Sequence, residues 1–164
     1  WSSDVCSSDL AVMSANIRQA TIRNVICGEN VVIYDPVNLY DCELAEDVFI
    51  GPFVEIQGHS KIGKGSKIQS HSFICEYVTI GERCFIGHGV MFANDMFREG
   101  KPNPDRESWG RIVVGNDVSI GSGATILAVT LCDGVVIGAG SVVTKSITEK
   151  GVYAGNPARL LRRL

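Results

Sequence analysis

The sequence predicts an all-β protein: a parallel β-helix wound from six-residue repeats, interrupted by one ejected loop and closed by a short C-terminal helix. Two registers of the repeat carry this reading. An aliphatic residue recurs every six positions at Leu44, Ile50, Ile56, Ile62, Ile68, Ile74, Ile80 and Ile86. Four positions after each comes a small or apolar residue: Val48, Val54, Ser60, Ser66, Ser72, Val78, Cys84 and Val90. A period of six matches neither the 3.6-residue stripe of an amphipathic helix nor a plain two-residue alternation. It reads as a short strand and a turn, repeated, with three hexads making a triangular coil of 18 residues whose aliphatic side chains stack inward about 4.8 Å apart.

The first ten residues, WSSDVCSSDL, resemble the translation of a sequencing adapter. Residues 1–12 are therefore set aside as a non-native or disordered leader, with Met13 as the start and 13–164 as a single domain. The repeat extends back through Leu39, Ile33, Cys27 and Ile22 and resumes after the loop at Val114, Ile120, Ile126, Leu131, Ile137 and Val143. Steps of five replace six between Ile22 and Cys27, Leu39 and Leu44, and Ile126 and Leu131, tightening a corner without disturbing the lumen. The glycines that follow inward residues, such as Gly63, Gly81 and Gly121, suit turns where a side chain would crowd the next face.

Regular coils stop at Phe97 and resume near Ile112, leaving the excursion FREGKPNPDRESWGR at residues 97–111. Insertions in a solenoid fall on one face and often serve binding, so this loop is expected to wall or cover a site. The 18-residue coil also sets the columns. Gly58, Glu76 and Asn94 should stack, with His59, Tyr77 and Asp95 beside them; His71 should lie under Gly89, and Ser70 under His88. Lying two or three positions after inward residues, these side chains should project outward. The ending GNPARLLRRL should leave the β-helix at Pro157 and form a helix over the last coil, which would otherwise be an open edge.

Composition narrows the function classes. The chain is 45% hydrophobic and 20% charged, which argues against disorder, and its net charge of −3 gives no general case for nucleic acid or an anionic membrane. No apolar run reaches the roughly 20 residues of a bilayer span, and a cytoplasmic setting is expected. Cys27, Cys42, Cys75, Cys84 and Cys132 form an odd set with no CxxC pair and read as free thiols.

These residues resemble the hexapeptide-repeat family through the motif [LIV]-G-x-x-x-x over residues 22–164. The resemblance implies left-handed winding, against the usual right-handed crossover, and assembly as a homotrimer with sites between subunits. The segment IQSHSFICEYVTIGERCFIGHGVMFANDMF is similar to the nucleotide-linked amino-sugar N-acetyltransferases, particularly those acting on 3-amino sugars. That likeness implies an acetyl-CoA-dependent N-acetyltransferase serving surface polysaccharide synthesis, with acetyl-CoA as co-substrate and no metal. It places His71 and Glu76 beside the sugar, with Asn94 and Asp95 near the sugar or its nucleotide across a subunit boundary; His88 joins the substrate-binding set.

Acyl transfer from a thioester needs a neutral amine, donors for the developing oxyanion and an acceptor for the amine's proton. His71 can take that proton, because imidazole titrates near neutrality. In several relatives the resemblance implies instead that the departing thiolate takes it, leaving His71 to position the sugar. The C-terminal third resembles the family's acetyl-CoA groove. There Gly121, Ser122, Ala124, Ala139 and Gly140 would leave room for the pantetheine arm, and Lys145 and Arg159 would meet phosphates.

Three other readings stand beside this one. A zinc-dependent carbonic anhydrase of the same fold needs closely paired histidines, whereas His59, His71 and His88 are 12 and 17 residues apart. A sugar or serine O-acetyltransferase differs only in its acceptor. A non-catalytic scaffold would need no groove, polar cluster or ejected loop.

Overall fold

The structure is a computed structural model, and it describes residues 20–164. The expectations for residues 1–12 and for Met13 lie outside the described residues. The rest winds into the parallel β-helix that the repeat implied, left-handed as the family resemblance implied, with strands mostly two residues long on three faces. The first face carries seven rungs, from Ile22–Arg23 through Glu55–Ile56 and Phe73–Ile74 to Val142–Val143. The second runs from Ile26–Cys27 to Thr130–Leu131, and the third begins at Val32–Ile33.

Register follows the repeat. Ile56 pairs with Ile74, and Ile62 with Ile80, one 18-residue coil apart. The five-residue steps give 17-residue coils, seen where Leu39 pairs with Ile56 and Val114 with Leu131. Across the ejected loop Ile80 pairs directly with Val114, so 34 residues of sequence close one rung. The lumen passes the excursion without a gap.

The inward column is closed to solvent. Ile50, Ile56, Ile68, Ile74 and Ile86 are fully buried. Each such side chain contributes roughly 1.5–3 kcal/mol relative to exposure. Phe92, an aromatic in an aliphatic series, takes the inward position after Ile86 and is also fully buried. At the offset position Ser60, Ser66 and Ser72 are buried too, and each satisfies its hydroxyl the same way. Their Oγ atoms donate to the carbonyls of Cys75, Gly81 and Gly87 at 2.8, 2.7 and 2.9 Å. They also accept from the N–H groups of Val78, Cys84 and Val90 one coil on. A buried hydroxyl left unpaired would cost about 1–3 kcal/mol, so this ladder makes serine tolerable where valine would otherwise stand.

Most corners contain one left-handed residue, three positions after the inward one in a six-residue step and two after it at Asn24 and Asp41, where the step is five. Asn and Asp serve in the early coils, at Asn30, Asp41 and Asp47, but Phe53, His59, His71, Tyr77 and Arg83 occupy the same conformation later. The glycines just after inward residues have a different reason. A Cβ at Gly63 would lie 2.5 Å from the carbonyl of Gly81, so the next coil itself excludes a side chain. The described cysteines are free. Burial pushes the Cys42 thiol up to about 11 and that of Cys75 up to about 12.

The C-terminal helix expected from the sequence is not formed. Arg159–Arg163 is instead a strand, antiparallel to Gly151–Ala154, and it extends the third face by one rung. Seven residues are too few to recover the cost of nucleating a helix, while the free edge at Tyr153 and Ala154 offers ladder partners at once.

Steric exclusion at the coil contact separates two glycines that look alike in sequence. Gly63→Ala should lower stability by about 1–3 kcal/mol, as overpacking does. Gly58→Ala, whose Cβ would meet nothing nearer than Asp41 Cβ at 3.6 Å, should leave the denaturation midpoint nearly unchanged. Urea unfolding of the two variants checks this.

Candidate active site

The corner between the third and first faces is built by backbone hydrogen bonds that run from coil to coil. The N–H of His71 donates to the Pro52 carbonyl at 3.2 Å, and that of Gly89 to Ser70 at 3.0 Å. Gly123 donates to His88 at 2.9 Å and Gly140 to Ser122 at 2.9 Å. These bonds put Phe53, His71, Gly89, Gly123 and Gly140 in one column, with Pro52, Ser70, His88, Ser122 and Ala139 beside it. The stacking expected of His71 under Gly89 and of Ser70 under His88 is therefore present.

The side chains of this column end at His71. A Cβ built at Gly89, Gly123 or Gly140 meets nothing within 4 Å, so the corner beyond the imidazole is open. His71 and His88 are both exposed, as are Ser122, Ala139 and Gly140. The His88 N–H donates to Ser122 Oγ at 3.2 Å. One histidine at the end of the open track and another along its side thus share a corner with three of the residues expected at a cofactor groove.

Two other groove residues are placed differently. Ala124 is fully buried and turns its methyl into the lumen. Gly121 is closed by the next coil, where a Cβ would lie 2.5 Å from the Ala139 nitrogen. Both serve coil packing and leave no room for a ligand arm. Gly123, not singled out in the sequence, occupies the open position; its signal was the left-handed register it shares with His71, three after an inward residue. Lys145 and Arg159 come together at the C-terminal end, lining a cavity of about 290 Å³ with Ser146 and Tyr153.

Glu76, Asn94 and Asp95 lie on a different corner, between the first and second faces. Within one chain His71 is separated from Glu76 by five residues across the first face, roughly 15 Å of extended chain. The predicted column is real, since Asn94 Nδ2 donates to the Glu76 carbonyl at 2.7 Å. The outward positions, however, are covered. Glu76 and Asn94 are only 6% and 5% exposed, because the ejected loop folds over them.

That loop has its own scaffold. Both carboxylate oxygens of Asp95 accept backbone N–H groups within it, from Phe97 at 3.0 Å and Asn103 at 2.8 Å. Asp95 therefore caps the loop and has no carboxylate oxygen free of it. Asp105 caps the short turn Arg106–Ser108 by accepting from the Glu107 N–H. The Trp109 indole donates to the Asn103 carbonyl at 2.9 Å. From this frame Arg106 reaches the Glu76 carboxylate at 2.8 Å, and Arg111 lies over the Tyr77 ring, 5.0 Å from its centroid. Neither arginine was legible as a site residue, because a loop outside the repeat carries no register. His59 lies on this corner as well, stacked on Tyr77 at 5.0 Å, away from His71 and His88.

A parallel β-helix of hexads with one ejected loop defines a class of six-residue-repeat solenoids. Residues 41–76 match the family described as bacterial transferase hexapeptide (six repeats). Residues 77–91 and 111–145 match the hexapeptide repeat of succinyl-transferase. The two matches together cover more than half of the chain and break only at the loop, and the chain belongs to the hexapeptide-repeat family of bacterial transferases.

Among solved structures, the chain is similar to the GDP-perosamine N-acetyltransferase of Caulobacter crescentus, crystallised with CoA and GDP-perosamine. The identity is 20% and the TM-score 0.60, over 86% of this chain and 57% of that one. This chain thus spans little more than half the length of that relative. An N-acyltransferase of Bacillus cereus in complex with dTDP and coenzyme A is 21% identical, with a TM-score of 0.67 over 86% of this chain and 84% of that one. Soybean serine acetyltransferase complexed with serine is 34% identical, with a TM-score of 0.55 over 66% of this chain and 42% of its own.

The Arg106–Glu76 pair ties the loop to the coil through one exposed and one buried partner. Arg106→Ala should loosen the excursion and raise the rate of tryptic cleavage after Arg98 roughly five- to tenfold, equivalent to about 1–1.4 kcal/mol in the opening equilibrium. Limited proteolysis followed by mass spectrometry measures it.

Proposed function

We propose that this chain is an acetyl-CoA-dependent N-acetyltransferase acting on a nucleotide-linked amino sugar of the 3-amino-deoxyhexose type, in surface polysaccharide synthesis. The observation that carries the reading is the corner where His71 ends an open track of Gly89, Gly123 and Gly140, flanked by His88, Ser122 and Ala139. A slender ligand arm can lie along such a track with its reacting end at the imidazole. Lys145 and Arg159, at the far end of the coil, offer cations to phosphates. The two N-acyltransferase likenesses, one solved with CoA and GDP-perosamine and the other with dTDP and coenzyme A, support the same substrate pair.

In this reading the amine nitrogen attacks the thioester carbonyl carbon, the C–S bond breaks, and the departing proton goes to the His71 imidazole. Glu76 and Asn94 bind the sugar and Asp95 holds the loop beside it. Because those residues stand on another corner, the reading requires a homotrimer in which the Glu76 corner of one copy faces the His71 corner of its neighbour. A cytoplasmic location goes with these substrates; no helix among the described residues is long and apolar enough to cross a membrane.

A second reading, O-acetylation of a serine or sugar hydroxyl, is favoured by the likeness to soybean serine acetyltransferase. The same corner could serve a hydroxyl nucleophile, for which a base is indispensable because an alcohol stays protonated at neutral pH.

Release of CoA from acetyl-CoA, measured with a panel of dTDP- and UDP-linked 3-amino and 4-amino sugars and hydroxyl controls, tests the reaction class. Turnover of amino sugars alone is expected, with His71→Asn lowering kcat by about a hundredfold. A fall of only a few-fold with a raised KM would assign the proton to the thiolate. The trimer has its own test. When His71→Asn and Glu76→Gln chains, each inactive alone, are co-assembled in equal amounts, about one quarter of native turnover should return, since random mixing rebuilds that share of shared sites.

A further inference from the structure

The acyl transfer proposed above leaves unexplained what holds the His71 imidazole, which stands exposed on a corner with no side chain above it. We infer that Phe53 is the positioning residue for His71, clamping one side of the ring so that its other side is presented to the open glycine track. The inference rests on the role given to His71 in that reading.

Phe53 and His71 hold the same place in successive coils, each three residues after an inward isoleucine, Ile50 and Ile68. Their ring centroids are 4.9 Å apart and the planes 32° from parallel, within the range of offset aromatic pairs. The contact is one-sided. The next residue in the column is Gly89, where a Cβ would meet nothing within 4 Å. The imidazole therefore has an aromatic floor and no ceiling.

Phe53 is costly where it stands. Its φ of 61° lies in the left-handed region that bulky side chains rarely adopt, and the residue is 57% exposed, so it contributes little to the lumen. Gly65 and Gly89 fill equivalent corner positions without that strain. Where Arg83 adopts the same conformation, its side chain has a partner of its own, Asp117 at 2.8 Å. The comparable partner of Phe53 is the His71 ring. A misplacement of about 1 Å in a reacting group can cost on the order of a hundredfold in rate, so a clamp on a solvent-exposed imidazole has a kinetic consequence.

The experiment uses the full chain with acetyl-CoA and whichever sugar the panel identifies. Phe53→Leu should lower kcat by about tenfold while leaving both KM values within about twofold and the melting temperature nearly unchanged. Phe53→Tyr, which keeps the aromatic face, should restore turnover. In a His71→Asn background Phe53→Leu should have no further effect, because the residue acts only through the imidazole. The His71 ring proton resonances should lose their ring-current shift in Phe53→Leu. An unchanged kcat, an effect confined to KM, or an undiminished effect in the His71→Asn background overturns the inference. So does a ring-current shift that was never there. If His71→Asn itself turns over normally, the functional reading fails first and takes the inference with it, whatever the resonances show.

Discussion

Ile56 rests on Ile74, and Ile62 on Ile80, because the backbone ladder brings successive coils to β-sheet spacing and the six-residue period returns each aliphatic side chain to the same azimuth. That contact between like residues is the constraint from which the rest of the molecule follows. No hexad can bury its own inward side chain; it is covered only by the coils before and after it, so stability spreads along the stack by nearest-neighbour contact. The glycines at coil junctions obey the same spacing, since the carbonyl of Gly81 leaves no room for a methyl at Gly63. The buried serines obey it as well, because a hydroxyl is satisfied there only when the next coil delivers a carbonyl and an N–H at the right height.

Fixed stacking makes the corners into columns, and the chemistry is written in them. In most coils the residue three after an inward isoleucine is held left-handed, and its neighbours above and below are decided by arithmetic. Changing a corner residue from histidine to glycine therefore opens space without moving the frame. The column Phe53, His71, Gly89, Gly123, Gly140 passes from two aromatic rings to three bare backbones while the lumen behind it stays filled. The polar corner bearing Glu76 and Asn94 is made by the same rule, with the loop laid across it as a separate part.

What was legible in the sequence was whatever the period governs. The lumen, the 17-residue coils, the Glu76–Asn94 stack and the position of His71 under Gly89 all follow from counting. Counting says nothing about which way an off-period segment folds, and so Arg106 over Glu76 and the use of Asp95 as a cap emerged only in three dimensions. The burial of Glu76 follows from that loop, which turned an outward position into a covered one. Gly121 and Ala124 were assigned to a groove because they are small, yet smallness has two causes here, and both residues are small because another coil or the lumen is in the way. The terminal helix failed for a third reason. Local propensity in ARLLRRL was outweighed by the free edge of the third face, a tertiary partner the sequence does not announce.

The separation of the two polar corners is itself a consequence of triangular winding. Residues that share a corner share a column, and residues on different corners are held an edge apart in every coil, so lengthening the stack cannot bring His71 to Glu76. A loop could bridge them, but this one is tied by Arg106 and Asp95 to its own corner. For the carboxylate and the imidazole to act on one sugar, a second copy has to supply the missing corner. The rigidity that makes the columns predictable would therefore move the assembly of the site from folding to association.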